Sequence, residues 1–110
     1  MTIITRFLKI RSSGKDTEVP IQIFLPEQKG NSWFCRWEIG WPNRKRANLA
    51  GGFDAIQALV HALQTVGTEI YNSEEHASGN LTWEEPGRGY GFPVPGNIRD
   101  LLIGDDAKYL

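Results

Sequence analysis

Glu84 and Glu85, directly after Trp83, are the nearest this sequence comes to a general acid/base pair. Two carboxylates flanking a bond can divide the work of protonating a leaving group and activating water. Neighbouring residues on a strand point to opposite faces, so this spacing favours a solvated acidic turn. The two histidines are His61 and His76. His61 falls midway around the polar arc of a helix, and His76 ends the polar run Ser73-Glu74-Glu75-His76. Neither sits in a His-Glu-x-x-His spacing, so the pattern points to no metal set and no cofactor. Cys35 is the single cysteine. It excludes an intramolecular disulfide, fits a reducing, cytoplasmic location, and reads as a buried thiol within an alternating aromatic run. Gly87-Arg88-Gly89-Tyr90-Gly91 alternates glycines but is not followed by Lys-Ser/Thr. It therefore lacks the phosphate-loop signature. Its glycines suit turns, and Arg88 and Tyr90 stay available to a partner.

The elements that must position these residues follow from periodicity. Residues 3–11 read as a strand. In 18–25, Val19, Ile21, Ile23 and Leu25 alternate with Glu18, Gln22 and Phe24. In 32–41, Trp33, Cys35, Trp37, Ile39 and Trp41 alternate with Phe34, Arg36 and Glu38. Residues 26–31 read as a hairpin loop, and Pro42-Asn43 as the turn into a polar edge strand from Arg44 to Leu49. After Gly51-Gly52, Asp54 caps a helix and Gln57 completes a capping-box-like pair. Ile56, Leu59, Val60, Leu63, Val66 and Ile70 form the expected core arc, with Ala55, Ala58 and Ala62 on one flank. The helix of roughly 18 residues would be about 27 Å long and match the strands it covers. Asn72 to Asn80 ends it, Leu81-Thr82-Trp83 is a short strand, 85–96 is a loop, and Asn97 opens a short helix. The expected architecture is α+β within one domain, 1–110: an antiparallel meander of about four strands, one long helix on one face, and a loop-rich C-terminal extension.

One helix covers one face of a sheet. The other would present Phe7, Phe24, Phe34 and Arg36, with Lys9, Arg11 and Glu38. Three uses of that face compete. The C-terminal segment covers it, it is a protein interface, or single-stranded nucleic acid stacks on its phenylalanines. Arg44 and Arg46, in the densest basic run, would suit phosphates in the third case.

A second pattern runs through the later part of the chain. Gly51-Gly52-Phe53-Asp54-Ala55-Ile56-Gln57-Ala58-Leu59, then Ala62-Leu63 and Gly67, then Leu81-Thr82-Trp83 and Gly91-Phe92-Pro93, resembles an uncharacterised family of short bacterial proteins. In that family a Gly-x-Asp-Ala-x-Gln-Ala-Leu helix start precedes a Leu-x-Trp segment near Gly-Phe-Pro. The resemblance covers about residues 45–95. It implies a compact α+β domain of bacterial origin and carries no catalytic or binding residue.

Composition narrows the function classes. The chain has 110 residues, 40% hydrophobic and 23% charged, with a net charge of −1. That excludes a disordered tail, a collagen-like chain and a globally basic nucleic-acid binder. Arg6 and Lys9 interrupt the apolar N-terminus, so no signal peptide is expected. No apolar run approaches the roughly 18 residues of a membrane span. The charge is polarised. Residues 1–52 hold nine Lys/Arg and four Asp/Glu, a net +5; residues 53–110 hold three and nine, a net −6. The favoured function is a non-catalytic, protein-binding module, with an immunity-like role as one form of it, whose partner is a heterologous protein or a second copy. Single-stranded nucleic-acid binding is the alternative, and a hydrolase using Glu84 and Glu85 a distant third.

Overall fold

The structure, a computed structural model, describes residues 3–110. Strands β1 (Ile3–Ser12) and β2 (Lys15–Phe24) form a hairpin in which Ile3 lies opposite Phe24 and Ser12 opposite Lys15. Pro26 interrupts the chain, which resumes as β3 (Glu27–Lys29) and turns into β4 (Ser32–Trp41) and then β5 (Arg44–Gly52). The expected loop at 26–31 thus carries a short strand of its own, with Lys29 opposite Ser32. Both β2 and β3 pair with one edge of β4, and β5 pairs with the other. A late two-residue strand, β6 (Leu81–Thr82), joins β1. The antiparallel meander is as expected, lengthened by two short strands.

Alternation sets the inner face. Leu8, Val19, Ile21, Ile23, Cys35, Trp37, Ile39, Trp41 and Ala50 are buried there. Their even spacing in each strand is what a one-sided core requires.

Helix α1 (Ala55–Tyr71) starts where the sequence places it. The Asp54 carboxylate accepts from the Gln57 N–H at 2.8 Å, and the Gln57 side chain accepts from the Phe53 N–H at 2.7 Å. Its rotation differs from expectation. The buried stripe is Ala58, Ala62, Val66 and Ile70, joined by Gly67 and Tyr71. Ile56 is 72% exposed, Val60 is also exposed, and Leu59 and Leu63 are half-buried. The cause is closeness of approach. A side chain at Gly52 would collide with the backbone of Ala58, so the first turns of the helix rest directly on β5 and only alanines fit beneath them there. Leu59 and Leu63 are turned sideways, over β2 and β1, while Ile56 and Val60 face outward.

The C-terminal third packs beside α1 on the same sheet face. Helix α2 (Glu74–Ala77) is capped by Ser73, and a 3-10 segment (Gly96–Leu101) precedes α3 (Gly104–Tyr109). Tyr90, Phe92, Val94 and Leu102 enter the core there. The Gly67 position on α1 touches the Pro93 carbonyl, which locks this segment against the helix. The outer sheet face is therefore not covered by the C-terminal segment. None of the described helices is long and apolar enough to cross a membrane.

Candidate functional site

The residues that could do chemistry gather at the junction of β1, α1 and the C-terminal segment. Arg6, on the inner face of β1, donates to the carbonyls of Tyr90 (3.1 Å) and Gly91 (3.0 Å). Its guanidinium lies 4.0 Å from the Trp83 ring centre and 4.9 Å from that of Phe92. Asp106, 2% exposed, holds the N–H groups of the same two residues. Its carboxylate accepts from the N–H groups of Tyr90 and Gly91, each at 2.8 Å, and from the Tyr71 hydroxyl at 2.5 Å. Burial raises the pKa of both phenols, and Tyr90 is pushed up to about 12. Both remain hydrogen-bond donors at neutral pH. The Tyr90 hydroxyl lies 2.5 Å from His76 Nδ1, and the three rings meet edge to face. These contacts clamp backbone. They supply no nucleophile.

Burial lowers the pKa of His76. The unfolded chain then binds the proton more readily as pH falls, so stability contributed by neutral His76 is present at neutral pH and declines below the ordinary value of about 6.5. Melting temperature between about pH 7 and pH 5.5 should fall more steeply for the wild type than for His76→Gln. Parallel slopes would contradict this.

Beside the clamp lies a cleft of about 480 Å³ lined by Trp83, Glu84, Glu85, Arg88, Asp105 and Tyr109, among others. The two glutamates share it, contrary to the alternation expected of a strand. β6 ends at Thr82, and Glu84 adopts a positive φ of 59°. Arg88 spans Glu85 (3.1 Å) and Asp105 (2.7 Å), which occupies its charge within the segment.

The other sequence-derived site residues are dispersed. Tyr90, expected to offer its side chain to a partner, is instead 2% exposed. Arg44 and Arg46, expected on a free polar edge, project from the inner face of β5 toward the helices. Arg44 pairs with Glu75 at 2.8 Å and Arg46 with Glu69 at 2.6 Å. Phe24, Phe34 and Arg36 do come together on the outer face, around a depression of about 200 Å³ with Leu25 and Leu49. Arg36 there is paired to Glu38 at 2.8 Å, and Lys45 meets the same carboxylate at 2.8 Å. Phe7 stands apart, opposite Pro20 on the first hairpin. Cys35 is buried, its thiol 3.2 Å from the Phe24 carbonyl and its pKa raised by desolvation.

One feature was not visible in the sequence. β6 reaches β1 only at Lys9 and Ile10, with the Arg11 N–H donating to the Asn80 carbonyl at 3.1 Å. Among the described residues, Ile3 to Leu8 has no strand on that side. Above it runs a largely apolar groove of about 260 Å³ with Ile21 and Ile23 as floor. Leu59 and Leu63 form one wall, Phe92 and Pro93 the other, and Ile4 the rim. The signal was an uncharged Ile3-Ile4-Thr5, but only the strand order shows that this stretch is an edge.

A family model described as a domain of unknown function, DUF6968, matches residues 4–94. The chain belongs to the DUF6968 family. The match takes in β1 from Ile4 onward, the groove, Tyr90 and Gly91, and ends before α3. No curated protein and no solved structure matches the chain. Within the DUF6968 region, the motif residues noted in the sequence hold elements together. Asp54 and Gln57 start α1, Gly52 and Gly67 permit close approaches, and Gly91 leaves room for Trp83 and Arg6.

Proposed function

We propose that this DUF6968 protein is a non-catalytic protein-binding module that receives an extended segment along β1 (Ile3–Leu8), with side chains entering the adjoining groove. The observation that carries this reading is an unprotected strand edge beside an apolar groove. Exposed edges normally carry charges, prolines or bulges that discourage pairing. Here Ile4 is 67% exposed at the edge, and Arg6, the sole charge between Ile3 and Leu8, is turned inward onto the Tyr90 and Gly91 carbonyls. Strand addition draws affinity from backbone hydrogen bonds and specificity from alternate side-chain pockets, and this surface offers both. Nucleic-acid stacking on the outer face has less support, because Arg36 and Lys45 share Glu38 and Phe7 is distant from Phe34 along the sheet.

The test is a displayed library of random peptides of roughly ten residues, long enough to span a strand, selected on the immobilised protein. Enriched peptides should alternate apolar residues, lose binding to Thr5→Pro and keep it to Phe34→Ala. Selection of no peptide by protein that also does not self-associate, or selection of peptides that tolerate Thr5→Pro and depend on Phe34, would overturn the proposal.

A further inference from the structure

The free edge of β1 has a chemistry that fits itself. We infer that its occupant is a second copy of this chain, paired antiparallel β1 to β1 about a two-fold axis at Thr5. This rests on the proposed role of the edge.

Backbone direction sets the first constraint. N–H and C=O of one strand residue point to the same side, and that side alternates. The Arg11 N–H points to β6, so the odd-numbered residues of β1 face away from β2. Pro20, which has no N–H, lies opposite odd-numbered Phe7, where β2 has no bond to give β1. The unpaired groups on the edge are therefore those of Ile3, Thr5 and Phe7.

Register sets the second. Opposed residues in an antiparallel pair share a face. A two-fold at Thr5 places Ile3 opposite the partner's Phe7, Thr5 opposite the partner's Thr5, and Phe7 opposite the partner's Ile3. Every free N–H and C=O of the three residues then finds a complement. The pairs that meet on the outer face, aromatic with β-branched and Thr with Thr, are stabilising combinations. On the inner face Ile4 lies against the stem of the partner's Arg6. Moving the axis toward the C-terminus to Arg6 sets two guanidinium-bearing residues against each other and drives Ile3 into Lys9, where β6 already sits. Moving it to Ile4 sets Phe7 opposite Met1, which lies outside the described residues. Of the three, only the Thr5 axis pairs Ile3, Thr5 and Phe7 among themselves.

Charge separates this edge from the opposite one. β5 carries Arg44, Lys45 and Arg46, each paired to a carboxylate yet still solvent-exposed in its side chain, which suits an edge kept free. The chain as a whole bears only −1, so two copies repel each other weakly.

Sedimentation equilibrium of the full chain in the micromolar range should show a dimer. Thr5→Pro, which removes an outward N–H and no bond to β2, should sediment as a monomer with unchanged circular dichroism. Hydrogen-bonded antiparallel neighbours have Cα atoms about 5.5 Å apart, inside the range a disulfide spans. Thr5→Cys should therefore cross-link into a dimer under mild oxidation, while Ala47→Cys on β5 should not. A wild type that stays monomeric to high micromolar concentration overturns self-pairing, as does a dimer that survives Thr5→Pro or in which Thr5→Cys fails to cross-link. A monomer that still binds edge-dependent peptides would remove the second copy and leave the binding module. Loss of both would remove the two proposals together.

Discussion

Asp106→Ala is expected to destabilise the protein by roughly 3–5 kcal/mol, because it strands several buried donors at once. The Tyr71 hydroxyl and the N–H groups of Tyr90 and Gly91 all end on this carboxylate. A buried donor left unpaired costs about 1–3 kcal/mol. Domains of this kind have about 5–15 kcal/mol of total stability. Asp106→Asn should lose less. With its oxygen placed toward Tyr71 and Tyr90 the amide keeps two of the bonds and sets its NH2 group against the Gly91 N–H. Urea unfolding of the three proteins checks the order, wild type above Asn above Ala. A loss below about 1 kcal/mol for the alanine variant would mean that these donors find other partners. Amide exchange at Tyr90 and Gly91 should accelerate in step, since Arg6 holds only their carbonyl sides.

Gly67→Ala is expected to lower stability, against the usual sign for a helix. Inside a helix, glycine to alanine ordinarily gains about 1 kcal/mol. A methyl group at this position would run into the Pro93 carbonyl and press on the Val94 side chain at 3.1 Å. Neither α1 nor the 91–94 segment can withdraw without disturbing Phe92 and Val94, both in the core. Overpacking of this kind costs about 1–3 kcal/mol, a fall in melting temperature of several degrees. The variant should also weaken peptide binding at the groove, since Pro93 forms one wall. A stabilised Gly67→Ala would show that the segment yields freely.

The two residues illustrate what could be read in advance. Gly67 stood within a recognisable pattern, but glycine in a helix has many causes, and its neighbour Pro93 is remote in sequence. Asp106 lay in a C-terminal stretch with no periodic signal, and its ligands come from Tyr71, Tyr90 and Gly91. The helix rotation is not legible in the sequence, because an apolar arc weighs side chains by hydrophobicity. The sheet selected by size instead, admitting Ala58 and Ala62 and turning Ile56 outward. Arg44 and Arg46 looked like free cations because Glu69 and Glu75 approach them only once α1 and α2 have folded back over β5.

Short-range chemistry was legible from the residues themselves. Alternation along β2 and β4 separated inner from outer positions, Asp54 and Gln57 started α1, and Cys35 fell on a buried face. Each depends on neighbours within a few positions, where backbone geometry leaves few choices. The tertiary structure alone decided which surfaces stayed open. β6 stops beside Lys9, α1 settles over β4 and β5, and the C-terminal segment shares its side of the sheet. Together they leave Ile3 to Leu8 and the groove above it bare. An edge is defined by the strand that is missing beside it, and pairing between strands distant in sequence is settled by packing.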